Sequence, residues 1–262
     1  MTGIWHPSPN FDSRDGCSIS MLVLHYTGMR TPQEAINRLI DPASKVSAHY
    51  IVDEDGTVLN LVKEEHRAWH AGVSGWRGET RVNHHSIGIE IVNPGHEFGY
   101  RPFPDMQMES VISLCKEILG RHAIEPRNVI GHSDVAPTRK EDPGELFDWE
   151  ELAKNGVGLM PQPHLPFYPP YMPSAGFTYG YSRTLVDDFF LEQGMKSDAV
   201  LLMRNQLSNY GYMIDANDDF DEMAMLSVVA FQRHFRRHKV NGVWDMECHL
   251  AIEELLNKVI VP

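Results

Sequence analysis

Ser86-Ile87-Gly88-Ile89-Glu90-Ile91-Val92 is the stretch on which the fold turns. It is short, strongly apolar and rich in β-branched residues, which reads as a strand. Gly88 inside it marks a place where some other group approaches the backbone closely. Glu90 interrupts the apolar run. In a central strand it would be pushed inward, where desolvation raises its pKa. In an edge strand it would lie in solvent, and the run alone leaves both open.

Outward toward the N-terminus, Ser20 to Leu24 is a second apolar run, a buried strand ending at His25. Thr31-Pro32-Gln33-Glu34 has the pattern of a helix start, continuing through Ala35, Ile36 and Leu39. His49 to Val52 is strand-like, Asp55-Gly56 is a hairpin turn, and Thr57 to Val62 is the return strand. Outward in the other direction, Glu109 to Arg121 places apolar residues at helical spacing. Asn128 to Gly131 is a short strand that delivers His132. Strands and helices alternate, so an α/β fold is expected, with a mixed central sheet flanked by helices.

From Met160 to Pro173 the character changes. Prolines fall at 161, 163, 166, 169, 170 and 173, a pattern of a semi-rigid linker. Beyond it, Asp187–Leu191, Asp198–Tyr210, Met223–Arg236 and Met246–Leu256 read as helices. The expected organisation is a domain over 1–160, a linker over 161–179 and a small all-helical domain over 180–262.

The chain has 262 residues, 42% hydrophobic and 23% charged, values of an ordinary folded protein. The net charge of −13 argues against non-specific nucleic-acid binding, which needs basic surface. Three scattered cysteines, Cys17, Cys115 and Cys248, with no CxxC, argue against a cysteine zinc site. No apolar run is long enough to span a bilayer. The N-terminus shows no basic start followed by an apolar stretch, so a cytoplasmic location is expected, with the periplasm or envelope as the alternative.

His25, His132 and Asp142 are candidate metal ligands. Zinc accepts imidazole nitrogen and carboxylate oxygen, and a catalytic site keeps a fourth position for water. His25 and His132 sit where strands run out into loops, and Asp142 lies in a proline-containing loop that could hold a ligand. Taken alone the set is weak among fourteen histidines. His6, His66, His70, His84, His85 and His96 compete on composition. Glu90 is a candidate general base. Lys140 is a candidate oxyanion stabiliser, or a solvated loop lysine.

Several motifs combine. Leu22 to Thr27, Val46 to Val52, Ala68 to Ser74, Trp76-Arg77-Gly78, Asn83, Ser86 to Glu90 and Gly131 to Gly144 resemble, in order and spacing, the type 2 zinc N-acetylmuramoyl-L-alanine amidases. The resemblance covers roughly residues 4–165. It implies the peptidoglycan-recognition fold, one zinc ion on His25, His132 and Asp142, and catalytic roles for Glu90 and Lys140. It implies hydrolysis of the amide between the lactyl group of muramic acid, or its anhydro form, and L-alanine. Peptidoglycan or muropeptide is then the substrate. Tyr26, Trp76, Arg77 and Asn83 are expected to line the groove, and His49 and His70 to pack behind the ligands. No departure occurs at the five central positions, which disfavours the alternative of a non-catalytic muropeptide sensor.

The C-terminal segment is similar to the three-helix peptidoglycan-binding type 1 domain, through Gly211-Tyr212, Ala230-Phe231-Gln232 and Val240 to Asp245. Asn241 stands where that family has an acid, which puts wall affinity in question. Tyr212, Phe231 and Trp244 are expected in its core.

Overall fold

The structure, a computed structural model, describes residues 3–162 and 189–260. The apolar runs become strands. In chain order these are β1 (Ile4–Trp5), β2 (Phe11–Ser13), β3 (Met21–Tyr26), β4 (Tyr50–Val52), β5 (Val58–Asn60), β6 (His66–Ala68), β7 (Ser86–Ile91) and β8 (Val129–Gly131). Six form the main sheet in the order β1-β5-β4-β7-β3-β8. β4 and β5 are an antiparallel hairpin turning at Asp55-Gly56, while β4, β7, β3 and β8 run parallel. The sheet is mixed, and β7 and β3 are both interior strands of it. β2 and β6 pair separately.

The helices of this part are α1 (Pro32–Ile40), α2 (Val82–His85), α3 (Gly95–Phe98), α4 (Asp105–Arg121), α5 (His132–Val135) and α6 (Trp149–Lys154). α1 starts where the motif implies: the Thr31 side chain accepts from the Glu34 N–H and Pro32 occupies the first turn. α4 starts four residues before the apolar periodicity does.

Alternation along β3 sorts the core. Leu22 and Leu24 join Ile87, Ile89 and the α4 residues Val111, Leu114 and Ile118 on one face. Met21 and Val23 join a second cluster on the other face. That second cluster also holds Trp76, Ile130 and Val135, and from the C-terminal segment Tyr210, Tyr212, Phe231 and Leu255. The C-terminal segment therefore covers the sheet face opposite α4.

This segment contains α7 (Asp198–Tyr210), α8 (Glu222–Phe235) and α9 (Met246–Ile260). Ser197 and Asp221 cap α7 and α8 by accepting from Val200 and Ala224 N–H groups. The helix expected over Asp187–Leu191 is corrected. Phe190–Leu191 is a strand, β9, paired antiparallel with β10 (Trp244–Asp245). Leu191 is buried and Phe190 exposed, the two-residue period of a strand. The expected linker falls, from residue 163, outside the described residues, as does the expected domain start at 180. No described helix is long and apolar enough to cross a membrane. The three cysteines are free, with Cys115 and Cys248 buried.

Candidate active site

Three parallel strands end at one level. His25 is the register partner of Glu90, and Leu24 that of Gly131, so His132 follows immediately beside His25. The crevice beyond the carboxyl ends of such strands is where open α/β sheets bind ligands. By the period of two, His25 shares the face of Met21 and Val23.

His25, His132 and Asp142 are brought together and buried. His25 Nδ1 lies 2.9 Å from His132 Nδ1, and each is 3.0 Å from Asp142 Oδ2. The hydrogen bonds behind the rings fix their tautomers. The Ser86 hydroxyl donates to the Val82 carbonyl at 2.7 Å, so it accepts from His70 Nε2–H at 3.0 Å. His70 Nδ1 is then an acceptor and takes the His25 Nε2–H at 3.0 Å. That leaves the His25 Nδ1 lone pair bare. His132 Nε2 donates to the Ala71 carbonyl at 3.1 Å, which bares its Nδ1 as well. Burial pushes His25 down to about 4 and His70 well below the ordinary imidazole value, so both are neutral at pH 7.

Two lone pairs and a carboxylate oxygen therefore converge on one point, an arrangement that a cation resolves. Tetrahedral ligands ~2.0–2.1 Å from zinc stand ~3.3 Å apart, a few tenths more than the contacts here. The donor set fits zinc, with both distal nitrogens held as such ligands require. Gly88 makes the arrangement possible: a Cβ there would lie 2.4 Å from His70 Cγ.

Glu90 is half-buried on the wall of the same cleft. Burial, aided by the nearby Asp142, raises its carboxyl well above the ordinary value, and Lys140 opposes the rise. Its Oε2 is buried and has no hydrogen-bond partner among the described residues. The Lys140 ammonium also makes no hydrogen bond among the described residues. The cleft has a volume of about 450 Å³, within the range of small-ligand sites.

Residues 15–145 match the family model for N-acetylmuramoyl-L-alanine amidase. The chain is 37% identical over 254 residues to N-acetylmuramoyl-L-alanine amidase AmiD of Escherichia coli, covering 92% of this chain and 83% of that one. The chain belongs to the N-acetylmuramoyl-L-alanine amidase family. Zinc is the cofactor of this family.

Residues 196–252 of the amidase match the model of a peptidoglycan binding domain. Its structure is similar to that of Escherichia coli AmiD solved with the substrate anhydro-N-acetylmuramic acid-L-Ala-D-gamma-Glu-L-Lys. The TM-score is 0.71 at 34% identity, over 92% of this chain and 89% of that one. AmpDh3 from Pseudomonas aeruginosa matches with a TM-score of 0.73 at 30% identity, over 97% and 96% of the two chains.

Of the residues expected to line the amidase groove, Tyr26 does so, its hydroxyl pushed up to about 12 chiefly by burial. The other three are corrected. Trp76 is 0% exposed, edge-on to Tyr212 in the cluster under the C-terminal helices. Its ring passes over Gly211, where a Cβ would lie 2.6 Å away. Arg77 pairs with Glu125 at 3.0 Å, and its backbone N–H donates to Gly211 O. Asn83 Oδ1 accepts from the His70 and Ala71 N–H groups, so it shapes the loop behind the ligands instead of the cleft.

His49 is buried and takes the Gly88 N–H at Nδ1. The cleft is also lined by Arg38 and Arg139, which the sequence did not single out, and by His96, which had competed as a metal ligand on composition. Arg139 donates to the Val73 and Ala71 carbonyls and braces the loop under His132. His96 bonds the Tyr26 hydroxyl at 3.1 Å. The available signal for His96 was its place after Asn93-Pro94-Gly95, just beyond the end of a central strand.

Proposed function

We propose that the amidase hydrolyses the amide joining the lactyl group of muramic acid, in its anhydro form or in the wall polymer, to the L-alanine of the stem peptide. The observation that carries this is the pair of bare Nδ1 lone pairs and the Asp142 carboxylate meeting beside a raised, unpaired Glu90. His25, His132 and Asp142 hold the metal. A zinc ion there would supply Lewis-acid polarisation of the amide carbonyl and acidify water. Glu90 accepts the proton of the attacking water and returns it to the leaving amine. Lys140, free of other bonds among the described residues, steadies the negative charge that develops on the carbonyl oxygen. Tyr26 flanks the bound substrate. Arg38, which has no ion pair among the described residues, meets a stem-peptide carboxylate. The reading keeps the division of the chain at 160 and 180, the first part cutting and the last part holding wall material.

The reading is supported by the muropeptide bound to Escherichia coli AmiD. The test is mass spectrometry of purified protein incubated with an anhydro-muropeptide and, separately, with intact sacculi, each with and without a chelator. Chelator-sensitive release of free stem peptide is expected, and the faster substrate identifies which form the enzyme serves. Tight muropeptide binding with no release at saturating zinc would make the protein a sensor.

A further inference from the structure

Asp134 lies two residues beyond His132 and takes no part in the chemistry above. It is 1% exposed. Its Oδ2 accepts the Gly131 N–H at 2.7 Å. Its other two partners come from the far end of the chain. Tyr212 donates its hydroxyl to Oδ1 at 2.7 Å. His234 Nδ1 stands 2.7 Å from Oδ2, and a carboxylate only accepts, so that nitrogen carries the hydrogen.

Both partners are themselves immobilised. The Tyr212 ring packs against Trp76. The His234 ring is stacked between Trp149 at 3.7 Å and Phe235 at 3.9 Å. Asp134 is thus gripped by side chains that are rigidly seated. α5, the four-residue helix that carries it, also carries His132. The Ser133 N–H of α5 donates to the Asp142 carbonyl at 2.9 Å. Two of the three metal-binding side chains therefore hang on the element that Asp134 anchors.

A buried polar network is a costly way merely to glue two surfaces, and the apolar cluster around Trp76 already does that. A buried carboxylate that loses a donor must seek water. Asp134 and His132 share the single turn of α5, so a shift of one is passed to the other.

We propose that Tyr212 and His234 are positioning residues for the metal centre. Acting through Asp134, they hold α5 so that His132 and Asp142 keep their donor atoms on His25. The C-terminal segment would then be a working part of the zinc site as well as a binding module. The proposal rests on the ligand assignment above.

The test uses the full chain with Tyr212→Phe, His234→Leu, His234→Asn, Val228→Ala and His132→Ala. Zinc affinity is read by chelator competition, and ligand geometry by the visible spectrum of the cobalt form. Tyr212→Phe and His234→Leu are each expected to weaken zinc binding about tenfold and to shift the cobalt bands, at the lower end of what outer partners of metal ligands contribute. His234→Asn, whose amide places a donor near the Nδ1 position, restores most of the affinity. Val228→Ala opens the same buried cluster without touching Asp134, and lowers the melting temperature with zinc affinity unchanged. Unchanged affinity and spectrum in Tyr212→Phe and His234→Leu would overturn the proposal, as would an equal loss in Val228→Ala. Zinc retained by His132→Ala would sink the ligand assignment itself. Zinc lost there but kept by the other two variants sinks only the positioning role.

Discussion

At the scale of single residues, the site is a matter of which atoms carry hydrogen. The Ser86–His70–His25 chain leaves a lone pair where a metal belongs, and Gly88 leaves room for the chain. Gly88→Ala is expected to displace His70 and weaken zinc binding about 10–100-fold, measured by chelator competition. Wild-type affinity in that variant would mean that His70 does not orient His25. In the role proposed for it, Glu90 works as a base only when ionised, and its pKa is raised. Turnover therefore falls as pH drops through that raised value. Lys140 opposes the rise, so Lys140→Met is expected to move the acid limb of the pH–rate profile upward. A limb that stays put would remove Lys140 from the electrostatics of the base. Glu90→Gln is expected to keep its zinc and lose about 10²–10⁴ in kcat. Alone, His25, His132, Asp142 and Glu90 did not stand out among fourteen histidines and many acids; they were named because the family's motifs fall on them in order and spacing, and the structure brings the first three together. Trp76, Arg77 and Asn83 were misplaced because a motif reports nearness in sequence, not which way a loop side chain turns.

At the scale of elements, strand and helix patterns carried most of the architecture, since apolar period alone separates β3 and β7 from α4. β9 escaped because a two-residue strand owes its existence to a partner more than fifty residues away in sequence. A second long-range tie is Glu64, which lies after β5 and joins β4 to the end of α4. Tyr50 and Arg121 donate to its Oε1 at 2.6 Å each, and His122 Nε2 stands 2.7 Å from Oε2. Burial would raise this carboxyl, but these bonds outweigh it and hold the pKa down to about 2 from 4.5. A depressed carboxyl stabilises the fold above its unfolded value and loses that contribution as pH falls. Glu64→Gln is therefore expected to cost about 1–3 kcal/mol at pH 7, with the difference from wild type fading as pH falls from 4.5 toward about 2. Urea melts at the two ends of that range decide it; an equal deficit at both would mean packing and not charge.

At the scale of the whole molecule, one apolar cluster draws Met21, Val23 and Trp76 together with Tyr210, Phe231 and Leu255. Two sequence segments with separate family matches thus share a core. Calorimetry of the full chain is expected to show one unfolding transition with matching calorimetric and van't Hoff enthalpies. Two resolved transitions would mean that the shared cluster does not couple the segments. The sequence placed Tyr212, Phe231 and Trp244 in the core of the C-terminal segment alone and did not signal this union, because side chains from different segments meet only after folding. The register of β3 against its two neighbours has a consequence for anyone redesigning the enzyme. One residue inserted into β3 would swing His25 toward α4 and offer a neighbour to the cleft in its place. The connections that leave the strand ends impose no such parity. The strands act as a ruler that admits no splice, while a connection that carries no cleft residue, such as the Asp55-Gly56 turn, is the length of chain open to grafting.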